Sequence, residues 1–219
     1  MIWRGSQDEP SAALGAGSQP PGGWRYNGGV SFTVREFHPS EFEALWRIDQ
    51  SCFPPGISYS RAELMTYMRR RSSFTLVAVA TAEVTHASTA ARKGKKRPTA
   101  IPVESPAIPQ QAAAYDSIAG FIVAEGSRRD SGHIITIDVI AARRGAGVGS
   151  LLLEAAEERL RKTECRAVQL ETAVDNISAL SFYKRHGYSV IETFPRYYAN
   201  GVDALVLKKE LGKDAEEIR

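Results

Sequence analysis

The residues with the most chemical content lie between positions 133 and 153. His133-Ile-Ile-Thr-Ile-Asp-Val139 reads as an apolar strand. Ile-Ala-Ala-Arg-Arg-Gly-Ala-Gly-Val-Gly149 reads as a glycine-rich turn carrying two arginines, and Ser150-Leu-Leu-Leu153 as the opening of a helix. Backbone N–H groups at a helix N-terminus project outward without partners, and the helix dipole favours negative charge there. Such a turn suits an anionic, phosphate-bearing ligand. A second constellation follows between Leu170 and Tyr188. There a strand-end carboxylate, Glu171, precedes Asn176, Ala179, Leu180 and Tyr183, spaced i, i+3, i+4 and i+7 on one helix face. A stripe with only a packing duty would rarely open with Asn and close with Tyr.

These groups need elements to hold them. Residues 30–37 read as a strand; Ser40 with Glu43 is a capping-box pattern ahead of a helix bearing Phe42, Leu45, Trp46 and Ile48. Residues 52–59 form a loop, and Ser60 with Glu63 opens a second helix carrying Leu64, Met65 and Met68. Strands follow at 73–80, 117–125 and 133–139, then a helix at 147–162, a strand at 167–172 and a helix at 177–186. Gly187 stands where a helix C-cap glycine belongs, and strands at about 188–194 and 202–208 complete the pattern. The order β-α-α-β-β-β-α-β-α-β-β predicts an α/β fold, a mixed central sheet of six to seven strands with helices on both faces.

Three phosphate-binding devices compete for the turn. A P-loop requires Gly-Lys-Ser/Thr, which is absent. The dinucleotide fingerprint Gly-x-Gly-x-x-Gly fails by one position, since Ser150 is sixth from Gly145 and Leu152 sixth from Gly147. The third is Arg144-x-x-Gly147-x-Gly149, preceded by Ile-Asp-Val139 and followed by Leu151-Leu152-Leu153. With it goes Asn176-x-x-Ala179-x-x-x-Tyr183-x-x-x-Gly187-Tyr188. Here the chain resembles the GCN5-related N-acetyltransferase (GNAT) family over about residues 30 to 210, most specifically at 139–188. Ala141 stands where many members carry Pro.

The resemblance implies acetyl-CoA as cosubstrate, its pyrophosphate held on the backbone amides of Arg144, Gly145, Ala146, Gly147, Val148, Gly149 and Ser150. It implies that Ile137, Asp138 and Val139 offer exposed backbone to the pantetheine between splayed strands, and that amides near Val139 and Ile140 polarise the thioester carbonyl. Asn176, Ala179 and Tyr183 would line the same arm. Tyr183 would be the general acid that protonates the departing thiolate.

Acetyl transfer to an amine needs a neutral nitrogen, so a base must stand nearby. Glu171 is the candidate, with His133 and Asp138 in reserve. Leu170-Glu171 before Asn176 resembles the RimI type, the ribosomal-protein N-terminal alanine acetyltransferases, although Thr172-Ala173 departs from it. Cys52-Phe53-Pro54-Pro55, with Ile57 and Tyr59, resembles an acceptor wall of that type. Tyr197-Tyr198 and Gly201-Val-Asp-Ala-Leu resemble the segment of protein N-terminal acetyltransferases that contacts the peptide. Phe53, Tyr59, Tyr197 and Tyr198 are therefore the expected substrate contacts. The implied acceptor is a protein or peptide N-terminus, a ribosomal protein among the candidates. A lysine side chain or small amine is the alternative, and a coenzyme A sensor or scaffold without catalysis the non-enzymatic one.

Composition bounds the rest. At 219 residues, one domain is expected; Lys+Arg 28 against Asp+Glu 25 is too mild a balance to argue for nucleic acid. Cys52 and Cys165 show no metal-ligand spacing, so no metal is expected, and they read as thiols in a reducing cytoplasm. No apolar run reaches membrane-spanning length, so no membrane partner is expected. Residues 1–29 and 211–219 are expected as tails and about 81–115, with its basic Arg92–Arg97 run, as a flexible insertion in the 30–210 domain.

Overall fold

The computed structural model describes residues 24–25, 30–81, 117–126 and 131–212. In chain order the elements are β1 (Trp24–Arg25), β2 (Ser31–Glu36), α1 (Phe42–Cys52), α2 (Arg61–Met68), β3 (Ser73–Thr81), β4 (Ile118–Glu125) and β5 (Ser131–Val139). They continue with α3 (Val148–Lys162), β6 (Ala167–Ala173), α4 (Ile177–Arg185), β7 (Ser189–Phe194) and β8 (Ala204–Glu210). The sheet order is β1-β2-β3-β4-β5-β6-β8-β7, antiparallel at every junction except β5–β6. The seven longer strands are those the pattern predicts. The addition is β1, which pairs Trp24 with Phe32, so two residues of the expected N-terminal tail belong to the sheet. At the other end Leu211 is buried in the core, its N–H donating to the Arg166 carbonyl, and is no part of a tail. Thr81, at the edge of the expected insertion, belongs to β3. Residues 82–115 of that insertion and residues 1–23, 26–29 and 213–219 of the expected tails lie outside the described residues.

Both faces of the sheet are covered. Leu152, Leu153, Ala156 and Leu160 of α3 pack on Leu76, Ile122, Ile134, Val168 and Leu207. Leu45 and Ile48 of α1, with Leu64 of α2, pack on Val77, Phe121 and Val123 of the opposite face. Fully burying one such side chain contributes about 2 kcal/mol. Helix α2 starts as its sequence predicts, with the Ser60 hydroxyl accepting from the Glu63 N–H and the Glu63 carboxylate accepting from the Ser60 N–H. The box expected at Ser40 and Glu43 does not form. It falls instead on His38 and Glu41, because Pro39 begins a short 3-10 turn and Arg35 holds the Glu41 carboxylate against that turn.

The parallel junction decides where a ligand can go. β5 and β6 pair only through Ser131↔Ala167, Gly132↔Val168 and His133↔Gln169. Beyond that point β5 continues beside β4 and β6 beside β8, so the two diverge and a wedge opens between them. A register shift between β4 and β5 leaves Ile135 as an extra residue, and bulges of this kind bend a strand away from its neighbour. The Tyr59 hydroxyl donates to the Ile135 carbonyl at 3.2 Å, tying the loop after α1 to the bulge. Among the described residues, no helix is long and apolar enough to cross a membrane.

Candidate active site

The wedge opens into a cleft of about 860 Å³ that carries a glycine- and arginine-lined end and an aromatic end. At the first, Gly147 adopts φ +81° as the N-cap of α3, a conformation that suits glycine. Gly149 faces Phe182, where a Cβ would sit 3.4 Å from the ring, so the backbone approaches α4 closely. The loop spends some of its amides on itself. Arg144 N–H donates to Ala141 O and Ala146 N–H to Arg143 O, which removes both from the expected donor set. Among the described residues the N–H groups of Gly145 and of Gly147 to Ser150 have no backbone acceptor outside the helix. The first intrahelical bond runs from Leu151 to Gly147. The Val148 side chain is buried in the core, so only its amide can serve. Arg143, Arg144 and Arg185 line the same end.

Along the wedge, strand alternation sorts the residues of β5. Ile140 N–H donates to Ala119 O, which by antiparallel geometry also commits the N–H and C=O of Asp138 to β4. Two expectations are corrected by this. Ile140 has no free amide, and Asp138 meets the cleft with neither backbone nor side chain. The Asp138 carboxyl is 1% exposed, accepts from the Thr136 hydroxyl and lies against α1, where burial and the Asp49 charge raise its pKa well above the carboxylate range. It is no base for an acceptor in the cleft. Ile137 and Val139 do face the wedge. The Val139 carbonyl takes bonds from Arg144 Nε at 3.1 Å and Cys52 Sγ at 3.4 Å, which leaves its amide.

On the opposite wall Asn176 caps α4. Its Oδ1 accepts from the Ala179 N–H and the Ser178 hydroxyl, leaving the side-chain NH₂ toward the cleft. Ala179 and Tyr183 follow on the same face. Tyr183 is packed edge-on against Phe182 and Tyr188, and burial, then the Asp138 charge, raise its pKa above the usual phenol value. It stays protonated at neutral pH.

At the aromatic end, Phe53, Tyr59, Tyr197 and Tyr198, which the family resemblance offers as substrate contacts, line the cleft. The Tyr59 hydroxyl is spent on the bulge, so its ring alone serves as wall. Tyr197 and Tyr198 stand edge to face at 5.1 Å; burial, then Glu171, push the Tyr197 phenol up to about 12. The loop after α1 touches the β7–β8 loop, since a Cβ on Gly56 would lie 3.6 Å from the Asn200 nitrogen. The two loops thus meet over this end of the cleft. At its base Glu171 Oε2 lies 2.6 Å from His133 Nε2. The sequence offered these two as separate alternatives. The three-residue parallel pairing makes them partners, and neither strand's own pattern carries that information. Phe182, Arg185 and His186, which line the arginine-rich end from α4, were not singled out from the sequence. The Lys184-Arg185-His186 run beside Tyr183 was the available signal. Among the described residues, no group of three His, Cys, Asp or Glu is placed to hold a metal ion.

The arrangement fits an elongated ligand with an anionic head and an extended arm. Open amides and arginines face the head, and unpaired backbone of β5 faces the arm. Comparison with known proteins agrees with this geometry. Residues 96–188 match the family model described as Acetyltransferase (GNAT) family. N-alpha-acetyltransferase 30 of Schizosaccharomyces pombe is 36% identical over 73 residues, 33% of this chain and 49% of that protein. The chain spans about half the length of the curated relatives it matches. Among solved structures, Ard1 from Thermoplasma volcanium superposes with TM-score 0.60 at 24% identity, over 82% of this chain and 97% of that one. A NatC complex bound to Gag peptide and CoA does so at 0.58 and 21%, over 83% and 99%. These two likenesses show the fold.

Proposed function

We propose that this chain carries an acetyltransferase domain of the GNAT family, whose model matches residues 96–188, and that it transfers acetyl from acetyl-CoA to the α-amino group at a protein or peptide N-terminus. When bound, acetyl-CoA supplies an acetyl group activated as a thioester. The chain's own residues do the rest. The amides of Gly145 and of Gly147 to Ser150 hold the diphosphate, with Arg143, Arg144 and Arg185 around it. The backbone of Ile137 and Val139 and the Asn176 NH₂ hold the extended arm, and the Val139 amide is the donor left to face the carbonyl. Glu171 accepts the proton that the acceptor ammonium must lose before the neutral amine attacks, with His133 against Oε2 to orient the carboxylate. Tyr183 holds a proton beside the position of the departing sulfur. Burial, then the Asp138 charge, hold the Cys52 thiol up, which supports direct transfer in a ternary complex over a cysteine-bound acyl group.

The observation that carries an N-terminal acceptor is the meeting of the two loops over Tyr59, Tyr197 and Tyr198, with Glu171 beneath. That opening admits the end of a chain. A ribosomal protein N-terminus belongs in any acceptor panel. Cys52 and Cys165 are both thiols, which supports a reducing, cytoplasmic setting. The test is mass spectrometry of matched peptides incubated with the purified protein and acetyl-CoA. Peptides with a free N-terminus gain 42 mass units, by the general arithmetic of adding about one C₂H₂O, whereas copies blocked at the N-terminus but carrying lysine do not. Acetylation of the blocked copies would overturn the acceptor assignment in favour of a lysine or small amine. Tight coenzyme A binding with no product from any amine would favour a sensor or scaffold.

A further inference from the structure

Ser150 is the third residue of α3, so its N–H belongs to the anion-facing first turn, and its hydroxyl is not free to follow suit. Ser150 Oγ lies 2.9 Å from His186 Nε2, at the C-cap of α4. The other ring nitrogen, Nδ1, lies 2.8 Å from the Phe182 carbonyl oxygen. A carbonyl only accepts, so Nδ1 carries the hydrogen and the tautomer is determined. In the neutral ring Nε2 is then bare and accepts the Ser150 hydroxyl proton. The serine thus shows the cleft only lone pairs, the wrong polarity for a phosphate. In the imidazolium form the bond reverses: Nε2–H donates to Ser150 Oγ, and the hydroxyl proton is released to donate to an anion.

We propose that His186 is a positioning residue for the coenzyme's diphosphate, switching the Ser150 hydroxyl from acceptor to donor by taking up a proton as the anion binds. The proposal rests on the coenzyme reading above and adds to it a residue and a proton. The ring is held for this task. It packs tilted against Phe182 with centroids 4.4 Å apart, and Phe182 is itself backed by Gly149, so both partners are fixed relative to the turn. The charged groups on the packed elements are Arg143 and Arg144 in the turn, Lys184 and Arg185 on α4, and Glu154 one turn along α3 from Ser150; Tyr183 is the titratable neighbour on α4. Arrival of a diphosphate among three arginines adds the negative charge that an imidazolium answers.

The probe is dephospho-coenzyme A. It keeps the diphosphate and lacks the phosphate monoester, whose own second ionisation near about pH 6 would confuse the reading. Calorimetric titration at pH 7 in buffers of different ionisation enthalpy reports the protons taken up on binding. The wild type should take up a measurable fraction of a proton. Its affinity should rise as pH falls from 8 to 6, by at most about tenfold per pH unit. His186→Gln and Ser150→Ala should both still bind and both lose the uptake and the pH slope. Circular dichroism melts establish that each is folded, and either variant alone suffices if the other is not. Uptake that persists in both variants, uptake that survives Ser150→Ala, or a wild type that binds without uptake would each overturn the proposal while leaving the coenzyme site intact. No binding by the wild type at any pH would instead defeat the functional reading beneath it.

Discussion

In the proposed reaction, Tyr183 and Glu171 divide the proton chemistry between two environments. Tyr183 is enclosed by Phe182, Tyr188 and the core, and burial with the Asp138 charge keeps its hydroxyl protonated. Glu171 sits at the half-open end with His133 at 2.6 Å. Groups held so differently suit opposite roles, one giving a proton and one receiving it. Replacing Tyr183 by Phe keeps the ring and its packing. It should lower kcat about 100-fold while the coenzyme A Kd, read by calorimetry, stays within a factor of two or so. An unchanged kcat would remove Tyr183 as the acid. At this scale the sequence was most legible where backbone conformation demands a residue type. Gly147 at positive φ and Asn176 as a cap are local requirements that need no tertiary contact, although the sequence pattern puts Asn176 on the ligand-facing stripe and not as a cap.

Elements were legible where their ends are set locally and less so where neighbours intervene. Ser60 and Glu63 cap α2 as their spacing predicts; Ser40 and Glu43 do not cap α1, because Pro39 and Arg35 recruit Glu41 first. The packing of α1 on β5 holds a feature no pattern announced. Asp49 and Asp138 are both buried, and each keeps one oxygen with no hydrogen-bond partner among the described residues. Burial raises Asp49 to about 6, opposed by hydrogen bonds from the Tyr59 N–H and Gln50. The folded state therefore binds this proton more tightly than the unfolded chain. The contribution of this group to stability is full below about pH 4 and is lost as pH rises through 6. Asp138→Asn retains an acceptor for the Thr136 hydroxyl and removes one of the two charges. It should flatten that loss and raise stability at pH 8 by roughly 1–2 kcal/mol, with little effect at pH 4, as read from urea unfolding at both values. Equal effects at the two pH values would exclude the carboxyl pair as the cause.

The whole molecule is a sheet nearly parted in two. Strands β1 to β5 and strands β6, β8 and β7 share three residue pairs directly, and α3 packs across both parts. A ligand lying in the wedge touches both, so binding stabilises the joined state by mass action. At 100 times its Kd, coenzyme A should add about 2.7 kcal/mol and raise the melting temperature by a few degrees in a thermal scan. A melting temperature indifferent to coenzyme A would contradict a ligand that spans the wedge.

The order of strands and helices, the glycine-rich turn and the stripe from Asn176 to Tyr183 were determined by the sequence, through local rules of period and backbone conformation that act within a few residues. Phe53, Tyr59, Tyr197 and Tyr198 entered through family resemblance instead. Tertiary structure alone decided that His133 meets Glu171 and that His186 meets Ser150. It also decided that Asp138 turns its back on the cleft. Those outcomes depend on strand register and on which side of a strand its backbone bonds face, and residues 36 to 38 positions apart acquire a relation only when the sheet closes and the wedge opens.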